Sequence, residues 1–223
     1  MASFTPELTI IEAVIANISG KIVRDFGELE NIQSSFKGTS GFTDVLLKTI
    51  KERLIEKLSQ KEGFGIVYED EIIVPKQNKN FLVTIENKLG LSHSLRDFSV
   101  AIAVEEKDEI ISGIIDNPIN KESFLVDKKN NLSLFNGKKA KVSQRKDDTI
   151  IGITTCDSTY KNSVISKSNL QNLCYVGMGK YDAIIIDNKT PLLDLGLLFA
   201  KIAGATTKEE NGKIIVSNGV IKI

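Results

Sequence analysis

Between Phe81 and Pro118 the residues alternate in a way that leaves few options for the backbone. An apolar run, Phe81 to Ile85, enters a polar turn. A second run, Phe98 to Val104, has alternating outward positions, and the charged tip Glu105 to Glu109 turns it back into a third run ending at Asn117-Pro118. Period-two patterning around a charged tip predicts consecutive antiparallel strands, which must be covered by another layer.

The 223 residues, 41% of them hydrophobic, suffice for one good core or for two sub-domains that share a sheet interface. Acidic and basic residues number 29 each, so the net charge is zero. No basic stripe with interleaved aromatics is present, which argues against strong direct binding of nucleic acid. The longest apolar runs, such as Ala183 to Ile186 and Leu195 to Ala200, fall short of the ~20 residues that cross a bilayer, so no membrane partner is expected. Met1 to Glu7 lacks the basic and apolar regions of a signal peptide. Cys156 and Cys174 are too few for a disulfide framework and read as core residues, which fits a reducing cytoplasm.

Thr5-Pro6-Glu7 is a helix start, with a Thr cap, a Pro and an acid at the positive end. Ile11, Val14, Ile15, Ile18 and Ile22 follow on one face. After a loop at Ser34 to Gly41, a second helix carries Leu46, Leu47, Ile50, Leu54 and Leu58 inward. Strands dominate from Ile66 to about Thr155, with hairpin signals at Lys107-Asp108, Asn130-Asn131 and Asn136-Gly137. The remainder alternates: a helix at Ser168 to Met178, a strand at Tyr181 to Asp187, a helix at Pro191 to Ala203, and strands at Ile214 to Val216 and Val220 to Ile223. This order predicts an α/β fold, an α+β layered sandwich of alternating helix and sheet layers. It divides into an N-terminal α+β part over 1–150 and a C-terminal α/β part over 151–223, forming one continuous unit.

Several segments, taken in order, resemble the inositol monophosphatase family and its bacterial extragenic suppressor (SuhB-like) branch. Lys37-Gly38 before the second helix is similar to the family's mobile loop, and Gly65-Ile66-Val67-Tyr68-Glu69-Asp70 to its G-I-x-G-E-E strand end. Leu134-Phe135-Asn136-Gly137-Lys138 with Val142-Ser143 resembles its F-x-N-G hairpin. Leu173-Cys174-Tyr175-Val176 through Gly179-Lys180-Tyr181-Asp182-Ala183 resembles L-C-Y-V-A-x-G-x-x-D-A. The resemblance implies the family's layered fold, a homodimer, and magnesium held by a Glu of G-E-E, both Asp of D-P-I-D and a late Asp. Magnesium there activates water and stabilises the leaving oxygen of a phosphomonoester.

Laid on that pattern, this chain is a divergent and shortened member. Glu69 stands at the first ligand position and Val83 where the first Asp would be. Glu86 takes the second Asp position, and Asn87-Lys88 replaces Gly-Thr. Lys48, or Leu47 in a shifted register, replaces an Asp of the early helix. Leucine stands at the late position, with Asp194 one or two residues away. The candidate metal ligands are therefore Glu69, Glu86 and Asp194, the candidate catalytic residues Glu69 and Lys88, and the candidate substrate-binding residues Lys37 and Asp182. His93, the only histidine, reads as a packing residue, so no His-based triad or zinc site is expected.

Two functions follow. In the first, ion pairs replace the cations, and the chain is a weakly active or silent binding or regulatory protein. Its partners would be a phosphorylated small molecule or, by analogy with the SuhB branch, a protein of the transcription machinery. In the second, it is a magnesium-dependent phosphomonoesterase acting on inositol monophosphate or a related sugar phosphate.

Overall fold

The structure, a computed structural model, describes residues 4–33, 40–147, 149–153, 162–187 and 190–221. Lys37, Cys156 and most of the Ser34–Gly41 loop lie outside these residues. Helix α1 (Pro6–Gln33) begins at the proline, as the capping pattern predicts. Its inward stripe (Leu8, Ile11, Ile15, Ile18, Ile22) packs with that of α2 (Ser40–Ser59), namely Leu46, Ile50, Leu54 and Leu58.

This helix pair covers one face of an eight-stranded sheet ordered β2-β1-β3-β4-β5-β6-β7-β8. The strands are β1 (Phe64–Tyr68), β2 (Glu71–Val74), β3 (Lys79–Glu86), β4 (Ser99–Glu106), β5 (Glu109–Asn117), β6 (Glu122–Asp127), β7 (Leu132–Phe135) and β8 (Lys138–Lys139). A short helix, α3 (Lys88–Ser92), fills the polar turn after β3. All neighbouring pairs are antiparallel except β1 with β3, which run parallel with Tyr68 beside Val83. The β4 to β5 reversal falls at Lys107-Asp108, both with positive φ, where the sequence places the hairpin tip.

Alternation along these strands sorts their side chains into two layers. Phe81, Val83 and Ile85 face α1 and α2, whereas Ala101, Ala103, Ile115 and Phe124 face α4 (Asn169–Gly177) and α5 (Leu193–Ile202). The other side of α4 and α5 packs on a second sheet, ordered β10-β9-β11-β13-β12. Its strands are β9 (Ile151–Ile153), β10 (Ser163–Ile165), β11 (Ala183–Ile186), β12 (Thr206–Glu210) and β13 (Lys213–Ser217). The layers run helix, sheet, helix, sheet, as the sequence order predicts. Two local expectations are corrected. Val220 and Ile221 form no strand, and the edge partner of β13 is β12 instead. His93 is exposed and closes α3, donating its backbone N–H to Leu89 and Gly90 carbonyls at 3.1 Å.

The sheet and α5 approach closely at Gly113. A methyl group there would sit 2.4 Å from Leu195 Cδ1 and 2.8 Å from the Ile102 carbonyl oxygen, and the latter is backbone that cannot swing aside. Gly113→Ala is expected to lower stability by about 1–3 kcal/mol in urea unfolding. An unchanged midpoint would show that α5 does not seat this tightly on β5.

Candidate functional site

Strand β1 ends at Tyr68, and Glu69-Asp70 makes the tight turn into β2, with Glu69 in the left-handed region at φ 54°. The Glu69 N–H donates to the Val83 carbonyl at 2.8 Å, which fixes this turn beside β3. After β3, Asn87 is also left-handed at φ 56° and starts α3, its side-chain oxygen accepting the Gly90 N–H at 3.1 Å. That cap sets Lys88 at the first helical position, and its ammonium lies directly on the Glu69 carboxylate. Lys51 of α2 pairs in the same way with Glu71 and stands 4.9 Å from the centre of the Tyr68 ring; Lys88 lies 5.9 Å from it. Burial, reinforced by Glu69 and Glu71, pushes the Tyr68 phenol up.

These residues surround an open depression of about 500 Å³ with Leu47, Lys48 and Asp70. Lys48 is mostly exposed and lies 3.9 Å from Glu52 on its own helix, a contact worth about 0.3 kcal/mol. Three lysines and three acidic residues thus line one pocket, and two of the acids are matched one-to-one. Glu69, Lys88 and Lys48 are among the positions that the sequence singles out. Lys51, Tyr68 and Glu71 are additional; the signal for Lys51 was its i,i+3 spacing from Lys48.

Glu86 goes elsewhere. It closes β3 on the face opposite to Val83 and is 7% exposed. Its carboxylate accepts the Ser168 hydroxyl, the Leu170 N–H at 3.0 and 3.1 Å, and the Thr190 hydroxyl at 3.5 Å. It therefore ties the first sheet to the start of α4. Val83 is 1% exposed in the core beneath α1 and α2, so a carboxylate there would point into hydrocarbon; Thr84 shares the face of Glu86. Asp194 is exposed in the first turn of α5, and Leu192 before it is left-handed at φ 59° with no capping hydrogen bond from its side chain. Asp182 is fully buried. It accepts from the Ser143 hydroxyl, from Arg145 at 3.0 and 3.2 Å and from the Ile150 N–H at 2.8 Å, bracing the entry to β9 and β11. Among the described residues, no three His, Cys, Asp or Glu side chains gather as a metal ion would need.

No protein-family model matches the chain. It is 23% identical to the inositol-1-monophosphatase of Mesorhizobium japonicum, over 89% of this chain and 86% of that one. It is 22% identical to the fructose-1,6-bisphosphatase/inositol-1-monophosphatase of Thermotoga maritima, over 88% and 85%. In structure it matches the extragenic suppressor protein suhB of Bartonella henselae with a TM-score of 0.79 and 23% identity, covering 97% of this chain and 95% of that one. The chain is inositol monophosphatase-like in sequence and in fold. No helix among its described residues is long and apolar enough to cross a membrane.

Two buried carboxyls in this inositol monophosphatase-like fold are raised. Burial pushes Glu86 up to about 7 against the pull of Ser168, Leu170 and Thr190, and pushes Asp116, held by the Ser19 hydroxyl at 3.2 Å, up to about 6. A raised carboxyl is held more readily in its protonated form by the folded chain. Its contribution is complete below the ordinary value, 4.5 for Glu86, and is lost as pH climbs through about 7. Relative to the parent, Glu86→Gln is expected to gain on the order of 3 kcal/mol between pH 4.5 and 7.5 in urea titrations. Parallel pH profiles for parent and variant would contradict the assignment.

Proposed function

We propose that this inositol monophosphatase-like chain carries an eroded metal site and acts as a binding or regulatory protein rather than as an efficient phosphatase. The Lys88 ammonium on the Glu69 carboxylate carries this reading. Magnesium catalysis of phosphoester hydrolysis rests on several hard oxygens converging on the ion, with open positions for water and phosphate. Glu69 is matched by Lys88, Glu86 is consumed by Ser168 and the start of α4, and Asp194 is turned to solvent. These donors do not fit a multi-magnesium centre. The cationic groups of the pocket belong to the chain itself, so an anionic ligand such as a phosphorylated small molecule meets ammonium groups instead of metal. A protein partner, a homodimer and a cytoplasmic setting belong to the same reading. The names of the relatives from Mesorhizobium and Thermotoga favour a second reading, a magnesium-dependent phosphomonoesterase on inositol monophosphate or a related sugar phosphate.

The two readings separate in a thermal-shift and phosphate-release experiment. The unmodified chain is expected to show no rise in Tm at millimolar Mg²⁺, since an ion must bind the native state to stabilise it, and no magnesium-dependent phosphate release from inositol monophosphate. Lys88→Thr combined with Leu192→Asp, which frees Glu69 and adds a carboxylate at the start of α5, is expected to gain a Mg²⁺-dependent Tm shift. Turnover by the unmodified chain would establish the phosphatase reading instead.

A further inference from the structure

The fifteen residues from Leu132 to Lys146 carry five cations and no acid. They form the free margin of the first sheet, where β8 has β7 as its only neighbour among the described strands. The Asn136-Gly137 turn, with both φ values positive, reverses the chain there, and Asn136 donates to the Lys121 carbonyl at 2.9 Å. Past β8, the Val142 N–H donates at 3.2 Å to the carbonyl of Ala203, two residues beyond Lys201 of α5. One margin thus gathers Lys121, Lys138, Lys139, Lys141, Lys146 and Lys201, all exposed and none in an ion pair among the described residues.

Two further cations are already paired: Lys180 holds buried Glu122, and Arg145 holds buried Asp182. Asp147 and Asp148 follow Lys146 in the sequence. Adding Glu12 of the covering helix α1 to these four acids still leaves three positive charges in surplus, on a chain whose net charge is zero. The far end of the β6–β7 hairpin does not alter the balance, since Lys128 and Lys129 are offset there by Glu109 and Asp127.

Lysines on a sheet edge keep copies of a chain apart, because two such edges repel each other. A segment of opposite charge meets no such barrier, and the ladder leaves it a place to start. The Ala140 N–H donates to the Ser133 carbonyl at 2.9 Å, so the neighbouring Leu134–Lys139 pair is of the non-hydrogen-bonded kind. Lys139 therefore turns its own N–H and C=O toward the open edge. Further along, Ala203 and Gly179 close that edge against Val142 and Ser143. None of the exposed large hydrophobic side chains falls between Lys121 and Lys146, and the Lys180 ammonium lies 5.5 Å from the centre of the Phe135 ring. The margin thus offers neither a wedge for a bilayer nor a platform for stacked bases.

We propose that this margin binds an extended acidic segment of a partner protein. The segment lies along β8, pairs with the N–H and C=O of Lys139 as a short added strand, and sets its carboxylates among the six unpaired lysines. Backbone pairing supplies register, and charge supplies an attraction that weakens as salt rises. β8 stands at the edge of the sheet opposite to β1 and β2, so the proposal holds or fails independently of the Glu69–Lys88 pocket.

Fluorescence anisotropy with the full chain tests this, using a labelled peptide of alternating glutamate and threonine, a lysine–threonine counterpart and poly-uridine RNA, alongside co-sedimentation with phosphatidylserine vesicles. The acidic peptide is expected to bind saturably and more weakly as salt rises, and the basic peptide not to bind. Lys139→Glu combined with Lys141→Glu is expected to weaken binding at least about tenfold, whereas Lys208→Glu on the exposed β12 edge of the other sheet leaves it unchanged. Lys139→Ala and Lys139→Pro remove the same charge, but only proline removes the outward N–H. The proline variant is therefore expected to bind about fivefold more weakly than the alanine variant. If proline lowers the Tm, the double charge reversal, which leaves the backbone ladder intact, decides the matter. The proposal is overturned by no saturable binding of the acidic peptide, by undiminished binding to the charge-reversed chain, by equal affinities of equally stable alanine and proline variants, or by tighter binding of RNA or vesicles than of the peptide.

Discussion

The α4–α5 layer is covered on both faces, and that constraint governs the C-terminal half of the molecule. Leu170, Cys174, Leu195 and Phe199 face the first sheet, while Leu173, Val176, Leu193 and Ala200 face the second. A helix pair buried on two sides has little room for charge, and a charge placed against it must be met by hydrogen bonds or neutralised. Glu86 is that charge. Its carboxylate sits where the first N–H groups of α4 are unpaired within the helix, and it accepts one of them together with the Ser168 hydroxyl. The contact fixes where α4 begins relative to β3. It also commits both carboxylate oxygens of Glu86 to Ser168 and Leu170.

Around Glu69 the balance is different, because the groups are partly solvated. The side chains of Lys88 and Glu69 are 40% and 27% exposed, so their ion pair contributes about 0–1 kcal/mol at most to stability. Its importance lies in occupancy. A carboxylate with an ammonium in contact has lost the open, negatively charged oxygen that a divalent ion requires, and Lys51 on Glu71 repeats the arrangement one strand away. Both pairs set a lysine ammonium against an acidic side chain at the wall of the same pocket.

Elements with a buried stripe were legible in the sequence, and those without one were not. Ile11 to Ile22 and Leu46 to Leu58 announce α1 and α2 because each places its apolar residues on a single face. Strand β12 reads Thr206-Thr207-Lys208-Glu209-Glu210, every residue exposed; nothing in it alternates, and only pairing with β13 makes it a strand. Val220 and Ile221 mislead in the opposite direction, since their apolar character suggests a strand where the backbone instead follows the Asn218-Gly219 turn. At the site, Glu69 and Lys88 were singled out by their positions in the family resemblance, and their contact joins the end of β1 to the start of α3. The burial of Glu86 was not, because Ser168 is 82 residues further along the chain. Asp182 owes its burial in the same way to Ser143 and Arg145, partners that no local pattern reveals.

Three left-handed residues, Glu69, Asn87 and Leu192, fall in the three segments where the resemblance places metal ligands. Each departs from the conformations that side chains other than glycine prefer. Asn87 is compensated by its own side chain, which takes the Gly90 N–H, and Glu69 by the backbone bond to Val83. Leu192 has no such bond from its side chain, and bulky residues rarely take this conformation, at a cost on the order of 1–2 kcal/mol. What holds it is packing: Leu192 lies against the second core, and the Leu193 and Leu195 that follow it are buried in the double-sided layer. The entry to α5 is therefore set by hydrocarbon contacts. A backbone held by packing in this way needs no polar group at residue 192 to keep its geometry.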